Sequence, residues 1–156
     1  MQQFGFPYQR TQKSLLNDEA QHIIGAAEAA ASKAYAPYSG FKVGAALLLA
    51  SGEIITGANH ENASFPAGIC AERAALGALE MDESHRVQAI AVAYKTAKAA
   101  QHPPLSPCGI CRQSILEAQL HQGSPITVYM SSPDGEVIMV EDASYLLPFH
   151  FSSEFL

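Results

Sequence analysis

The three cysteines of this 156-residue chain fall into two clusters. Cys70 stands two residues before Glu72, while Cys108 and Cys111 form a Cys-x-x-Cys pair directly after Pro107. A catalytic zinc ion has three protein ligands, because its fourth tetrahedral position stays open for water. The pattern therefore predicts a zinc site made of Cys70, Cys108 and Cys111, with Glu72 beside the open position as a proton carrier.

A ligand-x-Glu segment followed by Pro-Cys-x-x-Cys is typical of zinc-dependent nucleobase deaminases. In that chemistry one carboxylate, here Glu72, takes a proton from the attacking water and passes protons to the ring nitrogen and the departing amine. Three thiolates would leave the Zn²⁺ site with a net charge of about −1, which weakens the metal as a Lewis acid. We expect Arg73 to offset this charge by hydrogen bonding to a thiolate, together with the positive ends of the helices that carry the cysteines.

Two other interpretations of the cysteines stay open at the level of the residues. A structural zinc site normally has four protein ligands, so a histidine would have to supply the fourth. A thioredoxin-like redox role for the Cys-x-x-Cys pair would leave Cys70 and Glu72 unexplained. The histidines that could complete a structural site, none of them with motif-like spacing, are His60, His85 and His102.

Composition narrows the class of protein further. With a net charge of −6 and nine Lys and Arg residues, the chain has no basic stripe for a nucleic acid. The longest apolar run, residues 43–50, is far shorter than the roughly 18 residues of a membrane span. An odd number of cysteines without an apolar N-terminal stretch favours a reducing compartment, so we expect a cytoplasmic protein without nucleic-acid or membrane partners.

The elements that must position the cysteines can be predicted from the spacing of apolar residues. Residues 1–13 are Gln-rich and show no period, which indicates an N-terminal arm before one domain over 14–156. A helix is predicted after the N-cap Asn17 and ends at Pro37, and both cysteine clusters lie where helices begin, at 70–80 and 108–123. Gly44 and its small neighbours indicate close packing on the sheet. Strands are predicted at 41–50, 53–58, 87–94, 126–130 and 136–140, with a loop at 95–107 and one helical turn at 144–147, in the order of an α/β layered fold.

Five segments of the chain resemble, in order, the small three-cysteine cytidine deaminases of the homotetrameric type. They are residues 35–47 (YAPYSGFKVGAAL), 57–64 (GANHENAS), 70–73 (CAER), 107–113 (PCGICRQ) and 146–148 (LLP). The resemblance covers nearly the whole chain from residue 17. It implies a three-layer α/β/α fold around a mixed five-stranded sheet and one Zn²⁺ per subunit. It also implies hydrolysis of the nucleosides cytidine and deoxycytidine to uridine and deoxyuridine, in pyrimidine salvage, by a homotetramer whose subunits share sites.

The same resemblance implies roles for residues around the metal. Asn59 and Glu61 are expected to hold the ribose hydroxyls, and their chemistry suits this role, because alternate residues of an extended segment point the same way. Phe41 is expected to stack on the base, and the backbone of Ala71 to meet the exocyclic amine.

A phenylalanine near the C-terminus is expected, by the same resemblance, to reach into a neighbouring subunit's site. Phe151 is the best match, and Phe149 is the alternative. His60 departs from the family, which usually has an aliphatic residue there. Arg112 and Gln113, next to the cysteine pair, are expected on a solvated helix face and have no predicted role.

Other functions are weighed against this one. A related deaminase of another amine-bearing base or nucleoside, such as a blasticidin-type enzyme, would not need Glu61 for a ribose hydroxyl. A nucleic-acid deaminase is disfavoured by the acidic charge, and because such relatives usually carry histidine at the position of Cys70. A non-catalytic zinc-binding scaffold would bind the metal without releasing ammonia.

Overall fold

The computed structural model describes residues 1–82, 84–96 and 102–156. These residues form one mixed sheet with helices on both faces. Its strands in chain order are β1 (Gln9–Gln12), β2 (Lys42–Leu49), β3 (Ile54–Ala58), β4 (Val87–Lys95), β5 (Thr127–Ser131) and β6 (Glu136–Val140). The helices are α1 (Asp18–Ala31), α2 (Ala71–Leu76) and α3 (Gly109–Gln122), and short 3-10 turns lie at Lys13–Leu15, Phe65–Ala67, Ala143–Leu146 and Ser153–Phe155.

The six strands are arranged in the order β1-β6-β5-β4-β2-β3. Only the β4–β5 pair is parallel, and α3 makes the crossover between these two strands. The other neighbouring pairs are antiparallel. The sheet is therefore mixed, as expected from the resemblance.

Side chains of the central strands alternate between two hydrophobic cores. Leu47 belongs to the core that contains Ala71 of α2 and Ile115 of α3. Leu48, on the opposite face of β2, belongs to the core that contains Ile24 of α1. Because successive residues of a strand point to opposite faces, the sheet is covered on both sides. The predicted three-layer α/β/α architecture is confirmed.

Two glycines let helices lie directly on the sheet. A Cβ atom on Gly44 would stand 2.1 Å from the carbonyl oxygen of Ala27 in α1, and one on Gly57 would stand 2.4 Å from the carbonyl oxygen of Ala71 in α2. Neither position has room for a side chain, which accounts for the small residues of this part of the sequence. The contact at Gly57 fixes the distance between α2 and the sheet, and α2 begins directly after Cys70.

The sheet has six strands rather than the expected five. The additional strand, β1, lies within the predicted N-terminal arm and pairs antiparallel with β6, from Gln9 opposite Met139 to Gln12 opposite Glu136. Its residues are mostly exposed, so the sequence shows no alternation of buried and exposed positions that would reveal a strand. Backbone pairing at the edge of the sheet, which does not depend on apolar side chains, forms this strand.

The first helix is shorter than predicted. α1 begins after Asn17, whose side chain accepts a hydrogen bond from the Ala20 N–H (2.8 Å), as an N-cap should. It ends at Ala31, well before Pro37. The reason is tertiary, because the Tyr35 N–H donates to the carbonyl oxygen of Asn59 at 3.0 Å and draws this segment out of the helix.

The second helix is also shorter than predicted. α2 ends at Leu76, with Gly77 as its C-cap, rather than near residue 80. Glycine is unfavourable in a helix because it loses the most backbone freedom there. The shorter length does not change the start of α2, where Cys70 and Glu72 lie.

The remaining elements follow the predicted bounds to within one residue at each end. Gly123 adopts the left-handed conformation (φ 66°) expected of the residue that caps α3. Of the loop predicted at 95–107, residues 97–101 lie outside the described part of the chain. Within the described part, no helix has both the length and the apolar character needed to span a bilayer.

Candidate functional site

The three cysteines come together at the starts of two helices. Cys70 is the N-cap of α2, Cys108 is the N-cap of α3, and Cys111 lies in the first turn of α3. The Sγ atoms of Cys70 and Cys108 are 4.0 Å apart, and those of Cys108 and Cys111 are 3.6 Å apart. All three sulfur atoms lie within 4.8 Å of one another. Two segments separated in sequence thus form one cluster of thiols.

The thiol cluster fits a zinc ion. Tetrahedral Zn–S bonds of about 2.3 Å would hold sulfur ligands about 3.8 Å apart, which lies between the two Sγ distances of 3.6 and 4.0 Å. Among the described residues, no histidine or carboxylate joins the three cysteines as a fourth ligand of the group. A structural site completed by His60, His85 or His102 is therefore not supported. Three ligands leave a fourth position open, as a catalytic zinc requires.

The protein environment acts differently on the three thiols. Burial alone would raise the pKa of Cys108, but hydrogen bonds from the backbone N–H groups of Cys111 and Ile110 at the start of α3 and from the Cys111 thiol lower it overall. Burial raises the pKa values of Cys70 and Cys111, and the nearby charge of Glu72 raises them further. Three thiolates at this position therefore need a bound cation to be stable. Metal binding accordingly releases protons from cysteine ligands.

Glu72 is a buried carboxyl beside the thiols. It lies in the first turn of α2, is only 4% exposed, and forms part of the wall of the main cavity. Burial raises the pKa of this carboxyl, while hydrogen bonds from its own backbone N–H and from the Cys111 thiol act in the opposite direction. A carboxyl with a raised pKa can both accept and deliver a proton near neutral pH.

A cavity of about 630 Å³ opens above the thiols and Glu72. This volume lies within the usual range for small-molecule sites, about 300–1,000 Å³. Phe41 forms one wall and stacks on Tyr94 behind it, with ring centroids 5.1 Å apart. The buried residue Ala71 contributes to the floor, and Leu105 lines the cavity from the segment that precedes Cys108. The cavity is therefore largely apolar, with a few polar groups in its lining.

Asn59 and Glu61 are two polar residues of the site. Both line the cavity and both are half-buried. The Asn59 side chain bonds to the start of β2, where its Oδ1 accepts from the Val43 N–H (2.7 Å) and its Nδ2 donates to the Phe41 carbonyl oxygen (3.0 Å). The Glu61 carboxylate accepts a hydrogen bond from the Tyr38 N–H at 2.9 Å. The segment after β3 thus holds the wall that carries Phe41.

Three residues that the sequence predicts at the site, or offers as an alternative, are not among the described residues that bond to the cysteines or line the cavity. They are Arg73, Phe151 and Phe149. Within the part of the chain that the structure describes, no hydrogen bond joins the Arg73 guanidinium to a cysteine sulfur. Phe151 and Phe149 are not among the described residues that line the cavity of their own chain. Phe151 is 59% exposed and stacks on Phe155, while Phe149 is almost fully exposed.

The C-terminal segment is instead held by two residues for which the sequence predicts no role. Arg112 donates from Nε to the Pro107 carbonyl oxygen (2.9 Å) and from a terminal nitrogen to the Leu146 carbonyl oxygen (3.0 Å). Gln113 donates from Nε2 to the Phe151 carbonyl oxygen (3.0 Å). These two side chains are thus hydrogen bonded to the C-terminal segment, which the possibility of a solvated helix face does not account for. The sequence signal for these contacts was the position of both residues directly after the Cys-x-x-Cys pair, because side chains close to metal ligands often orient those ligands.

Residues 17–124 match the family described as the cytidine and deoxycytidylate deaminase zinc-binding region. The chain is 40% identical over 136 residues to the cytidine deaminase of Halalkalibacterium halodurans, which covers 87% of this chain and 96% of that protein. It is 41% identical over 106 residues to the cytidine deaminase of Mycobacterium tuberculosis, covering 68% of this chain and 74% of that protein.

Solved structures of cytidine deaminases also resemble this chain. The crystal structure of cytidine deaminase from Burkholderia pseudomallei superposes with a TM-score of 0.69 at 40% identity, covering 84% of this chain and 98% of that one. A crystal structure of cytidine deaminase from Mycobacterium tuberculosis superposes with a TM-score of 0.64 at 35% identity, covering 85% and 96%.

Proposed function

Because this chain belongs to the zinc-dependent cytidine deaminase family, we propose that it hydrolyses cytidine and deoxycytidine to uridine and deoxyuridine, releasing ammonia. The observation that carries the proposal is one cavity whose lining combines Glu72 and the thiols of Cys70 and Cys108 with Asn59 and Glu61. The thiols and Glu72 suit the amine-bearing carbon of a pyrimidine, and Asn59 with Glu61 suits a sugar.

The charge of the cavity favours a nucleoside over a nucleotide. Its described lining includes two carboxylates, Glu61 and Glu72, and contains no lysine or arginine. A phosphate group would meet negative charge without a compensating cation, which is unfavourable in a partly dehydrated site. The family also includes deoxycytidylate deaminases, so this point separates two kinds of substrate within it.

Cys70, Cys108 and Cys111 would hold the zinc ion, one per chain. When bound, zinc supplies Lewis-acid chemistry that lowers the pKa of a water molecule and makes it a nucleophile near neutral pH. As the oxygen of that water forms a bond to C4, Glu72 accepts the proton lost by the water and delivers it to the ring nitrogen beside C4. It then carries the second proton of the water to the departing amine, so that the C4–N bond breaks, a C–O bond remains, and ammonia leaves. The buried position of Glu72 supports this role, because a raised pKa matches a group that takes up and releases protons.

The substrate contacts are part of the same proposal. Phe41 stacks on the pyrimidine, the Ala71 backbone accepts from the exocyclic amine, and Asn59 and Glu61 bind the ribose hydroxyls. The rigid support of Phe41 by Tyr94 and of Asn59 by strand β2 favours these roles, since a preorganised site loses less entropy on binding. Arg73 offsets the charge of the thiolates once the metal is bound.

We further propose a homotetramer in which Phe151 of one subunit completes the site of another. One observation supports Phe151 over Phe149: the Phe151 carbonyl oxygen accepts a hydrogen bond from Gln113 Nε2 at 3.0 Å, which holds this part of the C-terminal segment on α3. A cytoplasmic enzyme of pyrimidine salvage is consistent with three thiols that must stay reduced to bind zinc.

The test is a spectroscopic assay of the purified chain with separate substrates. We expect the absorbance change and ammonia release of deamination with cytidine and deoxycytidine, much weaker activity with deoxycytidylate or free cytosine, and loss of activity after chelation that added zinc restores. A chain that binds one zinc ion and releases no ammonia from any pyrimidine nucleoside would contradict the proposal and favour a zinc-binding scaffold.

A further inference from the structure

A tight turn links Glu61, which is proposed to bind the sugar, to Phe41, which is proposed to stack on the base. It comprises residues 37–40, between the end of α1 and strand β2, and the Gly40 N–H donates to the Ala36 carbonyl oxygen (3.0 Å). Gly40 has φ 68°, in the left-handed region that favours glycine. This conformation aims the backbone N–H groups of the turn at Glu61 and returns the chain to Phe41 at the cavity wall.

One hydroxyl group in this turn contacts both Glu61 and Phe41. The Ser39 Oγ donates to Oε1 of Glu61 at 2.5 Å and accepts from the Phe41 N–H at 2.9 Å. A serine hydroxyl has one donor and two acceptor positions, so it can make both bonds at once. A single oxygen atom therefore ties the proposed ribose carboxylate to the residue proposed to stack on the base.

The carboxylate of Glu61 is further tied to the turn through its other oxygen. Oε2 accepts from the Tyr38 N–H at 2.9 Å and from the Ser39 N–H at 3.3 Å. On the far side, Asn59 Nδ2 donates to the Phe41 carbonyl oxygen at 3.0 Å. The segment at Phe41 is thus held from both sides, by Ser39 on its N–H and by Asn59 on its carbonyl group.

We propose that Ser39 is a positioning residue that sets substrate specificity by fixing the Glu61 carboxylate relative to the Phe41 wall. This inference rests on the proposed function. With Ser39 in place, a substrate must place its sugar hydroxyl and its base at one fixed separation. Without the hydroxyl, Glu61 loses a charge-assisted donor and is no longer fixed relative to the Phe41 wall, which Asn59 still holds through the Phe41 carbonyl group.

The consequence differs between nucleosides with and without the 2′- and 3′-hydroxyls of the sugar. Loss of a hydrogen bond that fixes a charged group should weaken binding through that group about tenfold or more. Ser39→Ala should therefore weaken the binding of cytidine, which uses Glu61, much more than that of 2′,3′-dideoxycytidine, which has no hydroxyl for Glu61 to bind. A serine that merely stabilises the turn would affect both nucleosides alike.

The experiment compares Ser39→Ala with two matched variants in the full chain. Ser39→Thr keeps the hydroxyl and should restore wild-type behaviour. Ser51→Ala removes a similar local bond, from the Glu53 N–H to the Ser51 Oγ (3.3 Å), in the exposed turn between β2 and β3, and should leave the kinetics unchanged. Ser39→Cys, with a similar volume but a weak donor, carries the same prediction if the alanine variant folds poorly.

We expect Ser39→Ala to raise the KM for cytidine about tenfold or more, while the competitive inhibition constant of 2′,3′-dideoxycytidine changes by less than about threefold. Zinc content and kcat should stay close to the wild-type values. An inhibition constant that rises in parallel with KM, or an unchanged KM, would overturn the role of Ser39. A wild-type chain without activity on cytidine would overturn the proposed function instead, so the two failures are distinguishable.

Discussion

At the scale of single residues, the proposed chemistry depends on one carboxyl group beside three thiols. Glu72 is buried beside Cys111, and burial raises its pKa. The spacing of Glu72 from Cys70 could be recognised in the sequence, because the two residues lie two positions apart at one helix start. Its burial could not, because it depends on the approach of α3 from a distant part of the chain.

Replacement of this carboxyl tests its role. We expect Glu72→Gln to retain one zinc ion per chain, since glutamine keeps the shape of the side chain, and to lose turnover by a factor of at least about 10³, because water activation and proton delivery fail together. Metal analysis and the deamination rate are the two measurements, with the exposed Glu117→Gln in α3 as the control. Turnover within about tenfold of wild type would exclude Glu72 as the proton carrier.

Replacement of two arginines close to the cysteines, Arg112 and Arg73, should affect the stability of the protein differently. Arg112 bonds to Pro107 and Leu146, so Arg112→Lys, which lacks the planar fork, should lower the melting temperature and weaken zinc binding about tenfold or more. Arg73→Ala should leave the melting temperature of the metal-free protein unchanged and reduce zinc retention or turnover. Full zinc and full rate in Arg73→Ala would show that the charge of the thiolates is offset by other groups.

At the scale of elements, helix starts and close contacts with the sheet place the ligands. Cys70 and Cys108 are N-caps, so each thiol lies at the positive end of a helix. The sequence predicted both helix starts, and it predicted close packing at Gly44. The opposing contact at Gly57, which sets α2, became apparent only from the register of β3 against β2.

The two glycines provide a matched pair of substitutions. Gly57→Ala and Gly44→Ala should each lower the free energy of unfolding by about 1–3 kcal/mol, because the added methyl group would overlap helix backbone. Only Gly57→Ala should also weaken zinc binding and reduce turnover, since it displaces α2 while Gly44 contacts α1 on the other face. Denaturant unfolding, zinc titration and rate measurement on both variants decide this. Equal effects on the metal site would mean that α2 is not positioned through Gly57.

At the scale of the whole molecule, the proposed homotetramer depends on how the C-terminal segment is held. Phe151 is held at its backbone by Gln113, and its ring is exposed. The N-terminal residues take part in the same region, because Phe6 stacks on Tyr145 with centroids 5.8 Å apart. This arrangement favours a C-terminal segment fixed on its own subunit and presented to another.

Subunit mixing tests shared sites directly. Phe151→Ala subunits and Glu72→Gln subunits should each be nearly inactive alone, and mixed oligomers should regain activity, because some sites then combine an intact Glu72 with an intact Phe151 from a neighbour. Phe149→Ala should keep most of its activity by itself. The deamination rate is measured after co-refolding, with size-exclusion chromatography to establish that mixed oligomers form. Mixed oligomers without recovered activity would contradict the sharing of sites through Phe151.

The amino-acid sequence by itself predicted the ligand set and the proposed proton carrier and determined most element bounds, because these follow from short-range patterns such as Cys-x-x-Cys, Asn17 as an N-cap and Gly123 as a C-cap. Only the tertiary structure decided the edge strand β1, the early end of α1, and the hydrogen bonds of Ser39, Arg112 and Gln113. These features depend on hydrogen bonds between residues far apart in the chain, and such bonds leave no local period or spacing. The three cysteines were recognisable as ligands from their order, but their convergence required the sheet to bring two helix starts together.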